Sequence, residues 1–259
     1  MWLTVDHVTR FSYDEPVTEA YTELRLKPVH RDGQRCSSFS LVTEPRGTTI
    51  HEYVDRFDNS VHHFDVLEAH ERLTVTARSE VWTAESLRDD SAPSPLDLWD
   101  LRAPPRYVAE DERLTELAAS AADPTGLMHA VRGAMRYKRG TTNVHTTAAE
   151  ALADARGVCQ DFAHILIGAC RARGLAARYV SGYLYDPSNG GEGESHAWID
   201  VHTAEDGWVS LDPTHDTEQT ERYVRVAVGR DYADVPPSRG VYKGSAEETL
   251  EVTVTILEP

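Results

Sequence analysis

Residues 157–174 read GVCQDFAHILIGACRARG, and the interpretation of the whole chain starts from this stretch. Its apolar side chains recur at the spacing of an α-helix and cover most of its surface, which predicts a nearly buried helix over residues 158–173. Arg171 and Arg173 stand at the predicted C-terminal end, where the helix dipole favours cations. Gly174 suits the left-handed residue that often follows a helix.

Cys159 stands at the start of this predicted helix. The first turn of a helix has unpaired backbone N–H groups and the positive end of the dipole, and both stabilise a thiolate. The N–H of Cys159 is also expected to donate to an oxyanion during acyl transfer. The position therefore favours a catalytic nucleophile, with a buried structural cysteine as the alternative. For Cys36 and Cys170 we expect the structural role.

His196 and Asp212 lie in two segments that read as neighbouring strands joined by a turn. If these strands form a hairpin with Asp200 opposite Trp208, then Asp212 is opposite His196 on the same face of the sheet. A carboxylate in that place accepts the imidazole N–H and stabilises the imidazolium. The alternative is an exposed strand histidine and an aspartate that caps the following turn.

The chain divides into three parts. Residues 1–85 contain short alternating segments separated by turn residues, which predicts an N-terminal antiparallel β-sandwich-like domain. Residues 86–110 are rich in proline and acidic residues and are interpreted as a connector, with a short helical stretch around residues 96–101. Residues 111–259 carry helical patterns followed by strands, including a C-terminal strand, so the predicted fold class is α+β.

Composition limits the partners and the compartment. The 259 residues carry a formal net charge of −17, which repels nucleic acid and anionic lipid, and no apolar run is long enough to span a membrane. No signal peptide is visible, so we expect a cytoplasmic protein. Three cysteines without a CxxC motif favour free thiols over disulfides or a structural zinc site. We expect neither a metal nor a cofactor.

Four blocks of this sequence resemble the transglutaminase-like superfamily of papain-related thiol enzymes. They contain the candidate cysteine, histidine and aspartate in the family's order. The blocks are GVCQDFA (157–163), GLAARYVSGY (174–183), SHAW (195–198) and LDPT (211–214). Stretches such as HVTRFSY (7–13) and YVDRFDN (53–59) resemble the N-terminal domain of bacterial transglutaminase-like proteins. The resemblance implies a papain/transglutaminase-like core, with helices packed on an antiparallel sheet, over residues 111–259.

The same resemblance implies thiol-dependent acyl transfer. Cys159 would attack an amide or ester carbonyl, His196 would take up the thiol proton and later protonate the leaving amine, and Asp212 would orient His196. The acyl-enzyme would pass to water, as in a cysteine protease or amidase, or to an amine, as in a transglutaminase. We expect a peptide or protein substrate. The sequence gives no indication of the oligomeric state.

Three further residues are candidates for substrate binding. Tyr137 and Gln160 are candidates for the second oxyanion donor, and Trp198 for a wall of the substrate groove. Each of them has a structural role as its alternative. Two other functions stay open at this point: a non-catalytic scaffold that keeps the fold to bind a partner, and a Cys/His/Asp metal site, which would need a fourth ligand.

Overall fold

A computed structural model describes residues 1–31, 33–85, 92–189 and 192–259. Part of the predicted connector, residues 86–91, lies outside the described residues. Within the described chain the helices are α1 (Pro95–Asp100), α2 (Glu112–Ala119), α3 (Pro124–Ala134), α4 (Ala148–Asp154) and α5 (Cys159–Ala172). In that part of the chain no helix is long and apolar enough to cross a bilayer.

The strands belong to an antiparallel sheet and to one very short parallel pair. The first group is β1 (Trp2–Leu24), β2 (Gln34–Glu44), β3 (His51–Val54), β4 (Ser60–Val66), β5 (His70–Thr83), β6 (Arg136–Tyr137) and β7 (Arg156–Gly157). The second group is β8 (Ala176–Leu184), β9 (Glu192–Thr203), β10 (Gly207–Asp212), β11 (Thr217–Glu218), β12 (Tyr223–Gly229), β13 (Ser238–Lys243) and β14 (Glu248–Leu257). The predicted α+β class is confirmed.

Strand β1 organises the antiparallel sheet. Its first half pairs with β5 and β14, and its second half pairs with β4 and β13. Strands β8 to β12 form the other part of the sheet, in the order β12, β8, β9, β10, β11. A short ladder between β9 and β14 joins the two parts. The domain boundaries at residues 85 and 110 stay a prediction. In the structure, the C-terminal strand β14 pairs with the N-terminal strand β1.

The two halves of β1 lie on facing parts of a curled sheet. Phe11 and Val17 from this strand pack with Phe64 of β4 and Val75 of β5 in one buried cluster. The register against β5 shifts between Ser12 and Val17, which lets the strand change direction. This face-to-face packing corresponds to the sandwich-like arrangement predicted for the N-terminal residues.

Helix α5 forms the centre of the largest core. Its described side chains from Gln160 to Cys170 are all buried, as the apolar spacing predicted. Phe162, Ile165 and Leu166 have no exposed surface, and burying each stabilises the fold by roughly 1.5–3 kcal/mol. They belong to the same cluster as residues of β8, β9, β12 and β14. The start of α5 is therefore fixed relative to the strands.

A buried ion cluster ties together three strands of this sheet. Asp200 on β9 has no exposed surface and accepts hydrogen bonds from Arg178 Nε (2.8 Å) and Arg225 Nη1 (2.6 Å). The Arg178 guanidinium also lies 4.0 Å from the centre of the Trp208 ring. Although burial raises the pKa of Asp200, the charges of Arg225 and Arg178 outweigh it and lower that pKa. The ionised carboxylate is therefore part of the folded structure.

Replacing Asp200 with Asn should destabilise the fold strongly. The variant keeps the side-chain shape but removes the negative charge of Asp200 that faces two buried guanidinium groups, and breaking such a buried pair costs about 3–5 kcal/mol. Urea unfolding at neutral pH measures this. Asp206→Asn, in the exposed turn before β10, should stay within about 0.5 kcal/mol of the parent protein.

The difference in stability between the parent protein and Asp200→Asn should depend on pH with a defined sign. The pKa of Asp200 is lower in the folded than in the unfolded state, so its stabilisation is present above the ordinary carboxyl range of about pH 4 and is lost as the pH falls below it. The stability difference between the parent and Asp200→Asn should narrow in acid. Equal unfolding midpoints at neutral pH would contradict the structural role of the cluster.

Candidate active site

The start of α5 is held by a carboxylate that folds back over it. Asp161 Oδ2 accepts the backbone N–H of Val158 (2.7 Å) and the hydroxyl of Thr142 (2.7 Å). A Cβ atom at Gly157 would lie 2.4 Å from the same oxygen, so only glycine fits there. These contacts give Asp161 a structural role, and they fix the first turn of the helix.

Cys159 is the first residue of α5 and is partly buried. The C=O of Val158 accepts the N–H groups of Asp161 and Phe162. Within the described part of the chain, no acceptor contacts the backbone N–H of Cys159. The helix start therefore offers a free N–H beside the sulfur, as expected for an oxyanion donor.

His196 and Asp212 lie together, but not in the predicted register. The hairpin pairs Ser210 with Asp200 and Leu211 with Ile199, so the prediction that Asp200 faces Trp208 is wrong by two residues. A shift of two residues keeps every side chain on its own face of the sheet. His196 is thus a diagonal neighbour of Asp212, and its Nε2 lies 2.7 Å from Asp212 Oδ2.

Asp212 is a buried carboxylate with all of its acceptor capacity used. Its Oδ2 accepts hydrogen bonds from His196, from His215 Nδ1 (2.8 Å) and from the hydroxyl of Tyr223 (2.8 Å). Its Oδ1 accepts the backbone N–H groups of Thr214 (2.8 Å) and His215 (3.3 Å). Burial raises the pKa of Asp212, but the hydrogen bonds from the two histidines outweigh it and hold the pKa far below its usual range. The carboxylate is ionised.

The bond to Asp212 determines the protonation of His196. Because an ionised carboxylate only accepts hydrogen bonds, Nε2 of His196 carries a proton. Nδ1 is then the nitrogen available to Cys159, which lies close enough to the ring to raise its pKa. Burial lowers the pKa of His196, but Asp212 and Cys159 raise it to about 10. The arrangement therefore favours an imidazolium beside the sulfur.

The three predicted substrate residues occupy different places. Tyr137 is half exposed and close enough to Cys159 for a charge on that sulfur to raise the phenol pKa, although burial is the larger cause. Its strand, β6, pairs with β7 immediately before Cys159. Gln160 is buried and donates to the carbonyl of Val144 (3.3 Å), so it holds the neighbouring loop. Of these three side chains, that of Tyr137 alone is exposed.

Trp198 departs from the prediction that it walls a groove. Its side chain has no exposed surface, and its indole N–H donates to Gln219 Oε1 (3.2 Å). Its ring stacks behind His196 with the ring centres 6.1 Å apart. The structure therefore corrects the expectation: Trp198 is a core residue that supports the imidazole.

Sequence reasoning missed His215 and Tyr223, which both contact Asp212. His215 follows Asp212 by three residues, and this short spacing in a turn is the signal that could have identified it. Tyr223 begins β12 and approaches Asp212 only because that strand pairs with β8. No local pattern in the sequence indicates the contact of Tyr223.

The structure also bears on the metal alternative. Among the described residues, the group with ligand atoms close enough to hold a metal ion is His196, Asp212 and His215, and it does not include Cys159. The nitrogen and oxygen atoms of this group are already joined by hydrogen bonds.

Comparisons with known proteins indicate the family of this chain. The model of the bacterial transglutaminase-like N-terminal region matches residues 3–82, and that of the transglutaminase-like superfamily matches residues 113–213. The uncharacterized protein ML0607 of Mycobacterium leprae is 37% identical over 279 residues, which cover 99% of each chain. The uncharacterized protein Rv2569c of Mycobacterium tuberculosis is 33% identical and covers 98% of this chain and 91% of its own.

Two further similarities concern a shorter region and the fold. A protein-glutamine gamma-glutamyltransferase of Pseudomonas aeruginosa is 32% identical over 100 residues, which cover 34% of this chain and 15% of that protein. The solved structure of a proposed cysteine protease from Cytophaga hutchinsonii shares the fold, with a TM-score of 0.78, 21% identity and coverage of 100% of this chain and 92% of that chain. The two family models and the full-length relatives that match this chain show that it belongs to the transglutaminase-like superfamily. Its N-terminal region is that of the bacterial transglutaminase-like proteins.

Proposed function

We propose that this protein is a thiol enzyme that transfers acyl groups from amide bonds of peptides or proteins, acting as a cysteine protease or amidase. Cys159 is the nucleophile, His196 the acid and base, and Asp212 the residue that orients His196. One observation carries the proposal. Cys159 stands at the N-terminus of a buried helix, close enough to His196 to raise the pKa of the imidazole, and Nε2 of that imidazole lies 2.7 Å from a buried, ionised carboxylate.

The reaction follows from these positions. The sulfur of Cys159 attacks the carbonyl carbon while His196 holds the proton that came from the thiol. The C–N bond then breaks, and His196 gives this proton to the leaving amine. Water, activated by the same imidazole, attacks the thioester and releases the carboxylic acid. The thiol and the imidazole return to their starting states.

The helix start supplies electrostatic stabilisation. The negative oxygen of the tetrahedral intermediate forms next to the backbone N–H of Cys159, which has no acceptor among the described residues. The positive end of the α5 dipole lies at the same place. Tyr137, exposed beside the sulfur, is the second group placed to contact the substrate.

An amine in place of water as acyl acceptor is the second candidate reaction. It is favoured by the 100-residue similarity to the protein-glutamine gamma-glutamyltransferase of Pseudomonas aeruginosa. The same three side chains serve both reactions, because they differ only in the group that attacks the thioester. A non-catalytic binding scaffold is the remaining alternative.

Iodoacetamide at pH 6 should modify Cys159 selectively. A thiolate paired with an imidazolium reacts at this pH, whereas an ordinary thiol is almost entirely protonated, so we expect Cys159 to react at least about 30-fold faster than the other cysteines. Burial raises the pKa of Cys170 to about 12, and it also raises the pKa of Cys36. Peptide mapping by mass spectrometry gives the rate at each cysteine.

Two variants identify the cause of this reactivity. His196→Ala should slow the modification of Cys159 at least about tenfold, because the imidazolium that stabilises the thiolate is gone. His202→Asn, further along β9 and away from Asp212, serves as the matched control and should react as the parent does. Equally slow labelling of all three cysteines in the parent protein would support the scaffold alternative.

Dimethylated casein, offered with and without a fluorescent primary amine, should separate the reaction classes. A protease yields shorter fragments, an amidase converts glutamine to glutamate, and a transglutaminase attaches the amine. We expect fragments or conversion to glutamate as the main products, read by mass spectrometry, and their loss in Cys159→Ser. Products that persist in Cys159→Ser, or their absence in the parent protein, would contradict the proposal.

A further inference from the structure

The edge of β10 borders a cavity that does not include the candidate catalytic residues. This β10 cavity has a volume of about 420 Å³. Residues from the start of α3, from the turn between β9 and β10 and from the segment after β10 line it. Cys159, His196 and Asp212 are not among the lining residues. A molecule in the β10 cavity therefore occupies a second site.

Gln219 gives the cavity a buried hydrogen-bond donor. It lines the cavity and is 8% exposed. Its Oε1 accepts the indole N–H of Trp198 (3.2 Å) and an N–H of the Arg225 guanidinium (3.2 Å). Because both of these groups can only donate, the orientation of the Gln219 amide is fixed. Its Nε2 then carries two N–H groups, and no acceptor in the described part of the chain contacts them.

Trp208 is a second buried donor that lines the same cavity. It is 5% exposed, and its indole N–H has no acceptor among the described residues. The Arg178 guanidinium lies 4.0 Å from the centre of its ring, and the His202 ring lies 5.2 Å away. Buried N–H groups without an acceptor are costly, because they lost their hydrogen bonds to water. A molecule that brings carbonyl oxygens into the cavity supplies the missing acceptors.

The rim of the β10 cavity is negatively charged. It consists of Asp123, Asp206 and Glu218, which are exposed. Among the described residues that line the cavity, none is a lysine, an arginine or a histidine. Arg178 and Arg225 contact lining residues from the interior, but both are paired with the carboxylate of the buried ion cluster. The rim therefore attracts a cationic group.

One edge of β10 is open beside this cavity. The strand pairs with β9 on one side, whereas on the other side β11 pairs only with Leu211 and Asp212. On that side the carbonyl of Ser210 accepts the backbone N–H of Gln219. Residues 207–209 have no strand partner there among the described residues. An open strand edge binds an extended chain through main-chain hydrogen bonds.

We propose that the β10 cavity is a binding site for an extended peptide segment that carries lysine or arginine side chains. The carbonyl oxygens of the segment accept the N–H groups of Gln219 and Trp208, and its cationic side chains meet the three rim carboxylates. This inference goes beyond the proposed function, because the segment binds here whether or not Cys159 reacts with it.

Fluorescence anisotropy of a labelled heptapeptide with lysine at alternate positions tests the proposal. The measurement uses the full-length Cys159→Ser protein, which lacks the proposed nucleophile, at about 0.15 M salt. The lysine peptide should bind at least about fivefold more tightly than the same peptide with uncharged norleucine, because only lysine meets the rim. Spermine is cationic but has no carbonyl oxygen, so at the concentration of the peptide it should not displace it. Equal affinity for both peptides, or displacement by spermine, would contradict the proposal.

Variants separate the role of the donors from that of the charges. Gln219→Glu keeps the accepting oxygen but replaces the N–H donors with a second oxygen. The lysine peptide should therefore bind it at least about fivefold more weakly, although the site becomes more negative. Asp206→Asn/Glu218→Gln should also weaken binding at least about fivefold. The control Glu116→Gln/Glu205→Gln removes the same charge from exposed residues outside the cavity and should stay within about twofold of the parent.

Two results with these variants would overturn the proposal. Tighter binding to Gln219→Glu would mean that charge alone attracts the peptide. An equal loss of affinity in the rim variant and in its control would mean that the peptide responds to the net charge of the protein and not to this cavity.

A measurement without any substitution in the cavity keeps the test valid if a variant folds poorly. In nitrogen-15 NMR spectra of the full-length protein, the lysine peptide should shift the indole N–H signal of Trp208 and the side-chain amide signals of Gln219. If these signals stay in place at saturating peptide, or if no peptide binds, the proposed site is wrong.

Discussion

The arrangement of the site depends on one buried charge, the carboxylate of Asp212. An ionised carboxylate without solvent must have its oxygens occupied by donors, because leaving them unpaired costs several kcal/mol. Here the donors come from β9, from β12 and from the turn after β10. Each of these segments is therefore fixed relative to Asp212. The orientation of His196 toward the sulfur is a consequence of that requirement.

A second aspartate on the neighbouring strand shows how the choice of partner decides the role of a buried carboxylate. Asp200 is paired with two guanidinium groups, and these keep their protons at any physiological pH. Asp212 is paired with imidazoles, a type of side chain that can gain or lose a proton in proteins. The first arrangement is suited to holding strands together. The second is suited to the proton transfer that the proposed reaction requires.

Cys159 is positioned by the packing of α5 rather than by hydrogen bonds of its own. The buried face of α5 sets the direction and height of the helix, and Asp161 closes the turn that begins it. Gly157 is required because the Asp161 carboxylate occupies the space of a side chain. The Cys159 sulfur consequently meets the imidazole from the helix side, while the carboxylate holds it from the sheet side.

Local patterns in the sequence were sufficient for much of this. The apolar spacing of residues 158–173 predicted α5, and the order of the cysteine, histidine and aspartate matched a known family of thiol enzymes. The two-residue periodicity of strands placed His196 and Asp212 on one face, and this survived an error of two residues in register. A hydrophobic helix and an alternating strand are short-range properties, so the sequence by itself determines them.

Contacts between distant segments had to come from the tertiary structure. Trp198 became a core residue because β8 and β12 cover it, and Tyr223 reached Asp212 because β12 pairs with β8. In the observed register of the hairpin, Ser210 lies opposite Asp200 and its hydroxyl donates to Asp200 Oδ1 at 2.6 Å. The sequence by itself determined the helix, the strands and the side each residue faces, since those follow from neighbours along the chain. Only the tertiary structure decided which donors surround each buried carboxylate, because that depends on packing between segments far apart in sequence.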